Sequence, residues 1–529
     1  MKAALIAAIV CAPLAGPHVV IDASGAQHLT VAGRPFLMLG GELGNSAAAT
    51  AAWVKPLFPK LAAMKLNTVL VPVSWELIEP VEDKWSFDLV TDLIREARRN
   101  KLRVVLLWFG SCKNGMSSYV PAWVKTDAKR FPRAEVTAGR PVEALSAFSD
   151  ANREADARAF TALMKHLRKI DERQRTVVMV QVENEVAMID AAADRSATAA
   201  AHFRDAVPPE LMNHLAANRA SLQPELARAW KQAGDRSAGT WQEVFGKGVA
   251  TEELFMAWHF ARYVDAVARA GKQVYDLPLY TNAALNRPGK LPGQYPSGGP
   301  LPHLYDVWKA GAPTLSLLAP DIYLPNFADW CDRYWRPANP LLIPEATNDG
   351  DAGLLALYAA GRGAIGFSPF AVESMTDAAA AALTRSYTIL GELAPLLTVA
   401  TPKQRAGVLV DKRSPTAKIT VGGNELTVSH DYTFPWAAPA RHDPTWPRGG
   451  GLVLAVGPDE YVIAGNGIIV TFPPATGIER VDEGRYENGK WIAIRRLNGD
   501  ETHQGRQVRL VMGGFGNFGW QRVKLYRPR

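Results

Sequence analysis

Apolar residues fall into two rhythms along this chain. From residue 36 to about 370, short unbroken apolar runs recur: FLMLGGEL (36–43), NTVLVPVSW (67–75), RVVLLWFG (103–110), TVVMVQVE (176–183), LPLYTNA (277–283), LAPDIYL (318–324), LLIPEA (341–346) and AIGFSPF (364–370). A run that is apolar at successive positions is what a strand buried on both faces requires. Between these runs lie stretches such as FDLVTDLIREARRN, whose apolar residues repeat at three and four, the pattern of an amphipathic helix. Eight strand–helix units predict a closed (β/α)8 TIM barrel over residues 17–395, with an open doubly wound sheet as the alternative fold.

About ninety residues separate the fourth and fifth runs, Ala-rich and helical in pattern, and they predict a helical insertion at about 190–275. The loops SCKNGMSSYVPAWVKTD and RPGKLPGQYPSGGPLPH are also long, and in barrels such loops build the active face. Near residue 396 the rhythm changes to short alternating strands with Gly-rich turns, as in NELTVSHDYTF, GLVLAVG and YENGKWIAI. Asn488-Gly489 signals a tight hairpin, and residues 396–529 predict a C-terminal all-β sandwich. Its tryptophans, including Trp436, Trp446, Trp491 and Trp520, suit a core more than a sugar platform. Gly514, Gly516 and Gly519 spell GxGxxG, but no βαβ unit surrounds them, so the dinucleotide reading is set aside.

Composition changes this picture little. A chain of 529 residues with 48% hydrophobic and 21% charged residues suits two or three globular domains. The net charge of +7 is dispersed among acids rather than gathered in a stripe, so no nucleic-acid partner is expected. Residues 1–16 begin with one lysine and continue with an apolar stretch from Ala3 to Ala15, too short to span a bilayer. They predict a signal peptide and export to the periplasm or medium, with a lipid anchor at Cys11 as the weaker option. No later segment is a candidate membrane span. The other two cysteines, Cys112 and Cys331, form no disulfide framework, although a single bridge between them is conceivable. Histidines and cysteines lack metal-ligand spacing, and neither a metal nor a cofactor is expected.

The chemistry rests on carboxylates. TVVMVQVENEV ends an apolar strand in Glu183, Asn184 and Glu185, and LLIPEATND places Glu345 at the end of the seventh strand. Positions 183 and 185 lie two apart, so a regular strand points both side chains to one side. In a barrel the ends of strands four and seven face one another across one mouth. Two carboxyls there, about 5 Å apart, are what a retaining glycosidase requires. Asn184 is suited to hydrogen-bond a sugar 2-hydroxyl.

These segments resemble the glycoside hydrolases of clan A, and within them the β-galactosidases of family 35. LNTVLVPVSWELIEP resembles that family's second-strand segment with Trp75, Glu79 and Pro80 in register, and YVPAWVK the stretch after strand three. VQVENE resembles its acid/base motif and IPEATND its nucleophile strand. The resemblance covers residues 30–390 and implies that Glu185 is the acid/base and Glu345 the nucleophile. It implies an exo-acting, cofactor-independent β-galactosidase acting on oligo- or polysaccharides. The tail resembles a domain of a bacterial branch associated with plant polysaccharides such as xyloglucan. Pro72 stands where many members carry a galactose-contacting Tyr, and LLWFGSCKNG replaces the usual third-strand segment. By position, Glu42, Trp108, Asn114 and Tyr323 are the candidates to rebuild the sugar contacts, with Trp108 and Tyr323 equally suited to packing at the barrel rim, and Glu183 either orients Glu185 or binds a hydroxyl. The alternatives are another clan A retaining glycosidase (β-glucosidase, β-mannosidase or arabinosidase) and a non-catalytic carbohydrate-binding barrel.

Overall fold

The computed structural model describes residues 16–434, 444–487, 489–512 and 519–527. The leader with Cys11, Trp436, Asn488, and Gly514 and Gly516 of the GxGxxG string lie outside the described residues.

All eight apolar runs form strands, and the strands are parallel. They are β1 (Met38–Leu39), β2 (Thr68–Ser74), β3 (Arg103–Lys113), β4 (Val177–Asn184), β5 (Leu279–Ala284), β6 (Leu317–Ile322), β7 (Leu342–Ala346) and β8 (Gly366–Pro369). Their order around the sheet is β1-β8-β7-β6-β5-β4-β3-β2. A parallel bridge between Glu42 and Leu70 closes the ring, with Leu70 N–H donating to Gly41 O at 2.9 Å and Leu43 N–H to Leu70 O at 3.0 Å. The expected (β/α)8 barrel with a C-terminal β domain is therefore the observed fold.

Alternate residues of each strand divide the apolar content between two layers. Val105, Leu107 and Phe109 of β3 pack inside the barrel with Tyr280, Leu317 and Leu342, while Val104, Leu106 and Trp108 face the helices. A small antiparallel sheet of His18–Ile21, Gln27–Val31 and Arg34–Phe36 supplies Leu29 and Val31 to the inner layer. Of the ring helices, α1 (Asp88–Arg99) buries Val90, Leu93, Ile94 and Ala97, the stripe its sequence predicts. Helix α2 (Asp150–Asp171) begins at a Ser149 cap and packs along α3 (Val249–Lys272). Between β4 and α3 the chain makes the short helices Ala197–His202, Pro209–Ala217, Pro224–Gln232 and Trp241–Phe245. No helix among the described residues is long and apolar enough to cross a membrane.

The ring ends with α4 (Ala352–Arg362) and α5 (Asp377–Leu397). Among the described residues ten strands follow: β9 (Arg405–Val410), β10 (Thr416–Val421), β11 (Asn424–His430), β12 (Gly449–Gly457), β13 (Glu460–Asn466), β14 (Ile468–Thr471), β15 (Gly477–Glu487), β16 (Lys490–Leu497), β17 (Gln507–Leu510) and β18 (Gly519–Tyr526). They form a six-stranded sheet, β9-β12-β13-β18-β15-β16, and a four-stranded sheet, β10-β11-β14-β17. Glu487 pairs with Lys490 across the expected two-residue hairpin, where Gly489 takes φ +76°.

The sandwich meets the barrel along α4. Leu452, Leu454, Val462 and Ala464 of the six-stranded sheet belong to the same apolar cluster as the barrel helices. The contact is so close that a Cβ on Gly361 would lie 2.5 Å from Ala406 O, and one on Gly407 would strike the Tyr358 carbonyl. Tyr486, Trp491 and Trp520 form a cluster with ring centroids 5.3–5.8 Å apart, and Tyr486 N–H donates to Glu392 of α5 at 2.8 Å. Trp446 packs on His430 and Tyr432. These rings serve the packing of the domain and its attachment to the barrel.

Candidate active site

The C-terminal ends of β4, β5, β6 and β7 converge on one acidic mouth. Pro344 has no N–H to give the sheet, and the pairing of β7 with β8 slips between Ile343 and Ala346. That irregularity falls on Glu345, which is in register with Asp321 on β6. Glu345 is 4% exposed and accepts three hydrogen bonds: from Asn184 Nδ2 and Asn282 Nδ2 at 3.3 Å each, and from the Tyr323 hydroxyl at 2.8 Å. Asn282, at the end of β5, also donates to Asp321 Oδ2 at 2.6 Å and accepts the Glu185 N–H at 3.0 Å. Carboxylate oxygens of Glu185, Asp321 and Glu345 lie within 4.8 Å of one another.

Lys113 is the cation of this group. It is buried, its Nζ donates to Asn184 Oδ1 at 3.0 Å and to Asn114 Oδ1, and it lies 5.0 Å from the Phe109 ring centroid. With Asn184 Oδ1 facing Lys113, its amide nitrogen faces Glu345, so one side chain links the ammonium to the carboxylate.

Burial and like charge set the protonation of the mouth. Burial, then the neighbouring Glu345 charge, pushes Glu185 up to about 7, against the pull of Lys113. Asp321 is held well above the usual carboxylate range by burial and by Glu345, Glu185 and Glu42. Glu42 is raised likewise, by burial first and Glu345 next. Burial and Glu345 push the Tyr323 phenol up, so it stays a hydrogen-bond donor.

The strand end does not follow the alternation expected of it. Glu183 and Glu185 both take left-handed backbone, φ +60° and +47°. Each such residue costs roughly 1–2 kcal/mol. The pairing of β4 with β3 is broken between Trp108 and Lys113 and resumes at Lys113–Asn184. As a result Glu183 and Glu185 do not share a side. Glu183 turns outward to the helix layer, 1% exposed, where its Oε2 accepts the Cys112 N–H at 2.6 Å. It contacts no group of the mouth, which removes it from the sugar-binding candidates.

Trp108 is also removed from them. It is fully buried on the outer face of β3, its Nε1 donates to Asp156 Oδ1 at 2.9 Å, and it packs against Phe160. Tyr323, 50% exposed, reaches the mouth through its bond to Glu345. Asn114 is an exposed residue of the rim that accepts from Lys113. Glu42 is fully buried beside Glu345 and Lys113, and neither of its oxygens has a protein hydrogen-bond donor. Trp75 and Glu79 are a buried hydrogen-bonded pair at 2.8 Å, away from the mouth. Cys112 and Cys331 are free thiols.

Sequence reasoning missed Lys113, Asn282 and Asp321. Asn282 near the end of LPLYTNA and Asp321 in the middle of LAPDIYL are polar interruptions of apolar runs, a signal akin to the one that drew attention to Glu345. Lys113 gave no such signal, because β3 continues three residues past its apolar run. The trio Glu185, Asp321 and Glu345 is the one acidic group among the described residues close enough to share an ion. Its oxygens face the amides of Asn184 and Asn282 and the Tyr323 hydroxyl, and no ion is assigned to it.

The family model described as Beta-galactosidase, glycoside hydrolase family 42, matches residues 52–233, which include β2 to β4 with Asn184 and Glu185. The match is thus to family 42, which corrects the expectation of family 35 drawn from the strand motifs. A domain of unknown function, DUF5597, matches residues 383–509, most of the sandwich with α5. No curated protein matches the chain. Among solved structures, the chain is similar to the β-galactosidase of the psychrophilic Marinomonas ef1, at 14% identity and TM-score 0.48 over 69% of this chain and 62% of that one. It is similar to the cold-adapted enzyme of Rahnella sp. R3, at 17% identity and TM-score 0.46 over 68% and 57%. The polyextremophilic β-galactosidase of Halorubrum lacusprofundi gives 16% and 0.43 over 68% and 58%. The chain therefore spans 57–62% of the length of these neighbours. Over residues 52–233, it is similar to the β-galactosidases of glycoside hydrolase family 42.

Proposed function

We propose that this chain is a retaining exo-β-galactosidase. One observation carries the reading: Glu185 and Glu345 face each other at the ends of β4 and β7 with carboxylate oxygens within 4.8 Å. An inverting pair needs roughly 6.5–9.5 Å to seat a water, whereas a retaining pair stands about 5 Å apart. The β-galactoside itself is suggested by the family model over residues 52–233.

In this mechanism Glu345 attacks the anomeric carbon and forms an ester as the bond to the leaving oxygen breaks. Glu185 gives its proton to that oxygen. Glu185, now a carboxylate, takes a proton from water, whose oxygen attacks the same carbon and releases Glu345. A pKa near 7 suits both halves of this work. The donors Asn184, Asn282 and Tyr323 fix the nucleophile. Galactosylated side chains such as those of xyloglucan are the substrate proposed. The leader supports export, which N-terminal sequencing of the mature protein would check.

The test is a panel of nitrophenyl glycosides, with galactosylated xyloglucan oligosaccharides and lactose beside it, and the anomer of the first product followed by NMR. Release of β-galactose is expected. Cleavage of only the β-glucoside, β-mannoside or arabinoside would move the specificity within clan A, and release of the α-anomer would sink the double displacement.

A further inference from the structure

Behind the strand that carries Asn184 and Glu185 lies a second pair of buried acids that the proposed mechanism does not use. Glu183 Oε1 has no hydrogen-bond donor among its neighbours. Across from it stands Asp156 of α2, itself buried, which accepts Trp108 Nε1 at 2.9 Å and the Ser111 N–H at 3.1 Å. The absence of a side chain at Gly110 lets the two acids meet. A Cβ placed there would lie 2.5 Å from Glu183 Oε1 and 2.7 Å from Asp156 Oδ1, and would strike Trp108 Nε1. Tyr263 of α3 completes the cluster, 3.4 Å from Asp156 Oδ2 and 2.6 Å from Ser111 Oγ. Beside Glu183 is a cavity of about 30 Å³, also lined by Ser111, Cys112, Tyr263 and Asp194, and none of its lining residues is a lysine, arginine or histidine.

Two buried carboxyls in contact, with no lysine, arginine or histidine among the residues lining the cavity beside Glu183, cannot both be ionised. We infer that Glu183 is a positioning residue: it shares one proton with Asp156, and this carboxyl–carboxylate bond anchors the reversed backbone that presents Asn184 and Glu185 to the mouth. The inference rests on reading Glu185 as the catalytic acid. The backbone at Glu183 and Glu185 is left-handed, a conformation that persists only where surrounding contacts impose it. Glu183 supplies those contacts, with one oxygen on the Cys112 N–H and the other on Asp156. Burial and Asp156 hold the Glu183 carboxyl well above its ordinary range, in keeping with the shared proton. The groups facing it are Asp156 on α2, Tyr263 on α3, Cys112 on β3 and Asp194 in the insertion.

A carboxyl raised in the folded state stabilises the fold below its unfolded pKa and loses that stabilisation as pH rises through the folded value. The full-length Glu183→Gln, Glu183→Leu and Asp156→Asn proteins test this by kcat at neutral pH and by melting temperature from about pH 4, near the unfolded carboxyl value, upward. Glutamine keeps a donor toward Asp156, so Glu183→Gln should keep kcat near that of the parent and melt less steeply with rising pH. Glu183→Leu leaves Asp156 without its partner, and kcat should fall about tenfold or more with KM little changed. Should Glu183→Leu not fold, Asp156→Asn serves: its amide replaces the shared proton from the other side and should also flatten the loss of stability with rising pH. Equal kcat in Glu183→Leu and the parent, or an unchanged pH dependence of melting in Glu183→Gln, would overturn the inference. A parent protein inactive on every glycoside would instead refute the proposed function, while the melting measurement would still report on the shared proton.

Discussion

Asn282 Nδ2 donates to Glu345 Oε1 at 3.3 Å and to Asp321 Oδ2 at 2.6 Å, while Asn282 Oδ1 accepts the Glu185 N–H at 3.0 Å. One amide on β5 thus holds the carboxylate of Glu345 and the backbone of Glu185 in their places. Asn282→Ala should lower kcat/KM by about 10²-fold, the scale of losing one well-placed polar contact in a preorganised site. Steady-state kinetics on a nitrophenyl β-galactoside would measure it, and a loss below threefold (on a barrier scale, roughly 0.7 kcal/mol) would count against the assignment.

The two carboxyls should fail differently. Glu345→Gln removes the nucleophile and should abolish turnover whatever the leaving group. Glu185→Gln should cost about 10²–10⁴-fold on substrates whose leaving group needs a proton. On a dinitrophenyl galactoside, whose phenolate departs unaided, the first step should survive and be seen as a burst of dinitrophenol. The reverse pattern would exchange the two roles.

Glu185 at about 7 is the acid in the first step, so the rate should fall as pH rises through about 7 and the proton is lost. Lys113 lowers this value by its charge. Lys113→Met should therefore move the alkaline limb of kcat/KM to higher pH, besides weakening the hold on Asn184. A limb that stays in place, or moves down, would show that Lys113 does not act on Glu185 electrostatically.

Trp108 faces the helices and not the sugar. Trp108→Phe removes its bond to Asp156 and leaves a buried acceptor short of a donor, a loss of about 1–3 kcal/mol of stability. Denaturant unfolding should show that loss with KM unchanged. A raised KM with unaltered stability would return Trp108 to the sugar site.

How far the sequence discloses this molecule depends on what each residue signals locally. The eight barrel strands are legible because strands buried on both faces cannot carry polar residues, so their apolar runs stand out. Glu185 and Glu345 are legible for the same reason, being charges where such runs stop. Asn282 and Asp321 interrupt such runs too, but only the ring order brings β5 and β6 between β4 and β7. Glu183 is misread because alternation assumes extended backbone, and nothing in VENEV announces two left-handed residues in three. Trp108 stays open between sugar contact and packing because its position in the sequence does not say which face of β3 turns outward.

The contact of Gly361 and Gly407 with the opposing backbones has a bearing on the evolution and engineering of this chain. Where two domains touch through side chains alone, either can be exchanged for a relative with modest repacking. Here backbone meets backbone, and sheet residues complete the apolar layer over α4. Barrel and sandwich should therefore melt in one transition, as a single cooperative body. A barrel cut after Leu397 would expose the alanine- and leucine-rich face of α4 to water and aggregate. A transplanted sandwich would fit only if it brought its own glycine opposite Tyr358.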